Sequence, residues 1–206
     1  MRSARLLLIG ALTAIVLFAV VGLAYVRRTG LDAHVAPSAL EARVARTVRG
    51  LAVPSSVRGR RNPVAASPEV LEEALAHFAD HCASCHANDG SGDTDMGRGL
   101  SPRAPDMRLP ATQTLSDGEL FWIIENGVRF TGMPAWGNGT PASDDATWKL
   151  VQFVRHLPKL TGDEIDRMKA MNPRSPEEIR DEIEEQKFLE GGDAPSPPAH
   201  SHGGTR

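Results

Sequence analysis

Cysteine is almost absent: the 206 residues hold two, at positions 82 and 85. With no second pair, a four-coordinate zinc site lacks the further Cys or His ligands it needs at knuckle spacing. No alternating apolar pattern surrounds the two thiols, which excludes the strand-helix junction of a thioredoxin-like unit. A long stretch with a basic excess occurs only once, and the formal net charge is −3. Residues 27–62 carry eight Arg against Asp32 and Glu41, whereas residues 67–160 carry thirteen acidic and seven basic side chains and residues 161–193 eleven and five. The one basic stretch adjoins a long apolar run, so nucleic acid is not expected as a partner. Aromatic residues make up only 5% of the chain. A core so poor in them gains much from any large apolar group that brings buried surface of its own.

Residues 82–86 read Cys-Ala-Ser-Cys-His. Two thiols followed at once by an imidazole have the spacing that attaches c-type haem. Each thiol can form a thioether to a haem vinyl group, and His86 then lies under the iron as its proximal ligand, so that the chemistry belongs to iron and the protein tunes it. A simple disulfide would leave the histidine unexplained; a reactive dithiol is the second reading.

Residues 6–26 contain no charge. At 1.5 Å per residue they reach roughly 30 Å, the thickness of a bilayer core. Gly22-Leu23-Ala24 would also suit a signal peptidase, but signal cores usually run about 7–15 residues, so an uncleaved anchor is expected. Arg2 and Arg5 flank one side and Arg27 and Arg28 the other, so charge alone does not orient it. Covalent haem is installed outside the cytoplasm. That places the amino terminus inside and the remainder on the periplasmic or extracytoplasmic side of the inner (cytoplasmic) membrane of a bacterium, crossed once. The chain then divides into an anchor or signal segment (1–28), an Arg-rich linker (29–66), a central domain (67–160), an acidic helical extension (161–190) and a tail (191–206). The Pro, Ser and Gly content of that tail predicts disorder.

In the linker Ser38 and Glu41 form a capping box. Leu40, Val44, Val48 and Leu51 follow at helical spacing before Gly50 and Pro54 end the run, with Arg43, Arg46 and Arg49 elsewhere on the helix. Such a helix either lies on anionic headgroups or packs on its own domain or on the acidic extension. The opposite charges of the two extensions suggest an electrostatic clasp between them. Thr161–Glu164 and Ser175–Glu178 open two further short helices by the same box logic. His200 and His202 could at most hold a metal weakly.

The central domain opens with Ser67-Pro68-Glu69, a cap, a first-turn proline and an acid. Its helix should run to about Cys82 with Leu71, Ala74, Leu75, Phe78 and Cys82 on one face. Residues 87–93 and 99–106 are loops rich in turn formers. The carbonyl of Pro105 or Pro102 is a candidate acceptor for the second nitrogen of His86; the alternative is a plain loop proline. Ser116 and Glu119 cap an apolar helix that stops at Gly127, and residues 143–157 form the last helix of the domain. Between them stands Gly132-Met133-Pro134. Met133 is forty-seven residues after His86 and outside any helix, with enough chain to reach the opposite face of a haem; Met107, twenty-one residues after His86, is its rival.

This order of helix, Cys-x-x-Cys-His, loop, helix, Gly-Met-Pro and terminal helix resembles the class I cytochrome c family over about residues 67–160. The resemblance implies an all-α class I cytochrome c fold around one covalent haem c, here with an N-terminal transmembrane helix and extra short helices in both flanking extensions. It implies Cys82, Cys85, His86 and Met133 as the cofactor-binding residues, with His86 and Met133 on the iron. It also places Ala74, Phe78 and Phe153 at the crossing of the first and last helices, Ala74 standing where the family often has Gly. Trp136 and Arg103 are candidate donors to haem propionates. An iron ligated on both faces has no open position, and Met/His ligation raises its potential. The expected activity is single-electron transfer between a protein donor and a protein acceptor, with no catalysis of its own. A membrane-tethered carrier comes first, the cytochrome subunit of a larger membrane-associated oxidoreductase second. A haem enzyme or gas sensor comes third and requires loss of the Met133 ligand.

Overall fold

Ser38, Ser67, Ser116 and Thr161 each cap a helix with their side-chain oxygens, as expected. The computed structural model describes residues 2–30, 32–33, 35, 37–174 and 176–191. The tail from 192, with His200 and His202, and Ser175 of the last capping box lie outside them. Among the described residues the chain is helical with no strand: α1 (Arg2–Thr29), α2 (Ala39–Ala52), α3 (Ser55–Arg58), α4 (Pro68–His81), α5 (Ala83–His86), α6 (Asp95–Gly99), α7 (Pro110–Gln113), α8 (Asp117–Asn126), α9 (Pro141–His156), α10 (Gly162–Met171) and α11 (Pro176–Leu189). The all-α expectation holds.

The core forms where α4 crosses α9. Ala74 is 1% exposed and Phe153 fully buried, and the Phe78 and Phe153 rings tilt at 48° with centroids 5.0 Å apart. The small side chain lets the two backbones approach, and the aromatic pair fills the space beside it. α8 packs on the other side of α9, with Phe121 stacked on Trp148 at 4.2 Å. Arg155 locks this arrangement from α9, donating to Asp117 and to the carbonyls of Gln113 and Leu115.

Two expectations need correction. The last helix of the domain starts at Pro141 rather than Ser143, because the Thr140 hydroxyl accepts from the Ser143 N–H and Pro141 occupies the first turn. Among the described residues, the clasp expected between the two extensions is not made by the first acidic helix. α10 is seated on α4 instead, with Met168 fully buried, Arg167 paired to Glu72 at 2.6 Å and Glu164 bonded to His156 at 2.8 Å. An apolar anchor in the core outweighs attraction between solvated charges.

The linker holds a different face. Asn62 donates to the Trp148 carbonyl at 2.8 Å, Gln152 donates to the Val64 carbonyl, and the Arg60 guanidinium lies 4.9 Å above the Phe121 ring. α2 buries no residue; Leu40, Val44, Val48 and Leu51 are 52–80% exposed. α1 is long and apolar enough to cross a membrane, a property it shares with signal sequences, and its apolar side chains are exposed.

Candidate functional site

α4 delivers Cys82 as its C-cap, with the Cys82 N–H bonded to the Phe78 carbonyl. The chain then makes one further helical turn, α5, in which the His86 N–H returns to the Cys82 carbonyl at 2.9 Å. That turn sets Cys82, Cys85 and His86 on one wall of a cleft. Thr94, the N-cap of α6, braces it by donating its hydroxyl to the Ser84 carbonyl at 2.7 Å. α6 and this brace were not foreseen, although Thr94 three residues before Gly97 is an N-cap spacing visible in the sequence.

A second part of the lining comes from the carboxyl end of α8 and the loop after it. Leu120, Ile123, Ile124 and Val128 line the cleft, and Met133 belongs to this second part. The Met133 carbonyl accepts from the Val128 N–H at 3.1 Å, and its own N–H goes to the Thr131 hydroxyl. Met107, the rival, is 9% exposed and also lines the cleft. Its N–H, however, bonds to the carbonyl of Gly90, four residues beyond His86. It therefore belongs to the His86 side. The loop of residues 99–106 closes that side, and Arg103 and Trp136 reach the lining as well.

Burial first, and then the neighbouring Cys85, push the Cys82 thiol up to about 12. A nucleophilic dithiol needs the reverse, a lowered pKa, so the wall suits a thiol held for attachment better than one held for exchange. Burial also holds His86 below the usual imidazole range, as a neutral ligand must be. Its Nδ1 is buried with no hydrogen-bond partner. The prolyl-carbonyl bond considered for that atom is not made. The loop does reach the turn, with the Ala104 N–H on the Gly97 carbonyl, but the carbonyls of Ala104 and Pro105 are turned onto the backbone of Gly92, where a side chain would overlap them.

The cleft encloses about 190 Å³ and opens to solvent, so its lining and not its volume is what points to a ligand. Its walls are apolar, and two thiols, an imidazole and a thioether converge on it. These residues fit a haem: the thiols for covalent attachment, the nitrogen and sulfur as donors to iron, the aliphatic walls for the porphyrin faces. Among the described residues no group of three or more His, Cys, Asp and Glu could hold a metal ion by itself.

A family model described as cytochrome c oxidase, cbb3-type, subunit III matches residues 69–154. Those residues are a c-type cytochrome domain. The match begins in the first turn of α4 and stops within α9, so it covers both walls of the cleft and leaves out the linker, α10 and α11. No curated protein matches the chain. The cytochrome domain implies electron transfer between redox partners, and haem c as its cofactor.

Proposed function

We propose that this chain is a mono-haem c-type cytochrome, tethered by α1 to the inner membrane of a bacterium and passing single electrons on the extracytoplasmic side. Cys82 and Cys85 hold the haem by thioethers, and His86 and Met133 ligate the iron from opposite faces. The observation that carries this reading is that all four side chains line one apolar cleft. Met107 is set aside because its peptide is bonded on the His86 side. A haem held through the His86 nitrogen and the Met133 sulfur would supply outer-sphere electron exchange, at a potential raised by the sulfur ligand.

The test is a spectrum. Full-length protein expressed with a working haem-ligation system should be coloured, show the sulfur-to-iron charge-transfer band when oxidised, and bind carbon monoxide poorly. Met133→Leu should abolish the band and admit carbon monoxide, whereas Met107→Leu should keep it. A band that survives in Met133→Leu sinks the ligand assignment.

A second reading, the cytochrome subunit of a larger oxidoreductase, is favoured by the match to a model named for an oxidase subunit and by the exposed Ile179, Ile183 and Phe188 of α11. Solubilisation in mild detergent separates the two: a subunit comes out with stoichiometric partners, a carrier alone.

A further inference from the structure

One cation of the cleft comes from outside the cytochrome domain. Arg49 lines it beside His86 and Met133, yet it lies in α2, twenty residues before the matched segment begins. An amphipathic helix ordinarily turns its apolar stripe to the protein. α2 does the opposite. Leu40, Val44, Val48 and Leu51 point outward and are more than half exposed, while Ala42 and Arg49, on the far side at 3.6 residues per turn, are half-buried.

This placement is held by specific contacts. Val53, just past α2, is 4% exposed. The Arg58 guanidinium donates to the Gly50 carbonyl and pairs with Glu119 at 3.2 Å, and the Ser116 hydroxyl donates to the Arg58 carbonyl at 2.7 Å. The end of α2 is thus tied to the amino end of α8, the helix that supplies the apolar wall.

What Arg49 meets there is unusual for a cation. None of the described lining residues is an Asp or Glu, and the Arg49 side chain makes no hydrogen bond or ion pair among the described residues. A half-buried guanidinium against apolar side chains costs free energy until an anion reaches it, and a carboxylate matches its planar fork best. The haem proposed above carries two carboxylates, its propionates.

We propose that Arg49 pairs with a haem propionate, so that the linker helix, and not only the cytochrome domain, completes the cofactor site. This rests on the haem reading. A positive charge at the edge of the cleft would stabilise the electron-rich reduced haem more than the oxidised one, because attraction across an apolar cleft is weakly screened. Arg49 is accordingly a positioning and potential-setting residue that touches the cofactor's periphery and not its iron.

The experiment is a spectroelectrochemical titration of the haem-loaded full chain in detergent, comparing wild type with Arg49→Gln, Arg49→Lys and Arg46→Gln. Arg49→Gln should lower the midpoint potential with the sulfur-to-iron band intact, and Arg49→Lys should restore most of the shift. Arg46→Gln, one turn away and itself exposed, should leave it unchanged. A midpoint that does not move in Arg49→Gln, or moves equally in Arg46→Gln, overturns the pairing while leaving the haem reading standing. A colourless wild-type protein overturns both.

Discussion

The two walls of the cleft are built by different means. Around His86 the bonds reach across the chain: Thr94 to Ser84, Gly92 to His86, Met107 to Gly90, and Arg108 bridging Asp89 and Asp106. Around Met133 they are mostly short-range. Thr131 and Val128 serve the loop itself, and the N–H groups of Trp136 and Gly137 return to the last turn of α8. Phe130, in the same loop, sits at a φ of 63° and is 93% exposed. The His86 side, tied by these bonds to the loops that follow it, should keep its shape without its ligand, whereas the loop around Met133, bonded mainly to itself and to the end of α8, is the natural place for opening.

Substitutions can break this contrast, starting with the largest effect. Replacing both Cys82 and Cys85 by Ala should remove covalently bound haem completely, read as loss of haem stain on a denaturing gel. Retention of stain would mean that attachment lies elsewhere. Next comes a matched pair of glycines. A methyl at Gly97 would overlap the backbone carbonyls of Cys85 and Gly92, whereas one at Gly132 meets only the flexible end of Leu100. Gly97→Ala should cost about 1–3 kcal/mol in urea unfolding despite the better helix propensity of Ala. Gly132→Ala should cost less than ~1 kcal/mol. Equal costs would erase the distinction between the walls.

The smallest effect is acid dependence. Hydrogen bonds from Arg108 hold the Asp106 carboxyl below its ordinary 3.8. A folded pKa below the unfolded one adds stability above the unfolded value and loses it as pH falls through the folded value. Asp106→Asn should therefore be less stable than wild type at neutral pH, and the difference should shrink as pH falls below 3.8 and through the folded value. A difference that instead grows on acidification would reverse the assigned sign.

Much of this was legible locally. Ser67-Pro68-Glu69, Ser116–Glu119 and Thr161–Glu164 announce their helices because a cap needs only a side chain and an N–H within one turn. The Thr140-Pro141 start is legible by the same rule, a hydroxyl cap followed by a first-turn proline. α6 was hidden because a five-residue helix in a run of Gly and Asp has too few positions to show a period. For α2 the stripe was plain, but which side of the helix faced the domain was not.

The sequence alone determined the attachment motif, the helix starts and the apolar length of α1, since each rests on residues within a few positions of one another. Only the tertiary structure decided that Met107 stands with His86, that prolyl carbonyls bypass Nδ1, that α10 covers α4, and that Arg49 enters the cleft. Those outcomes depend on packing between residues dozens of positions apart, where the volume of a Phe153 or the bonding of an Arg58 selects among arrangements that local pattern leaves equivalent.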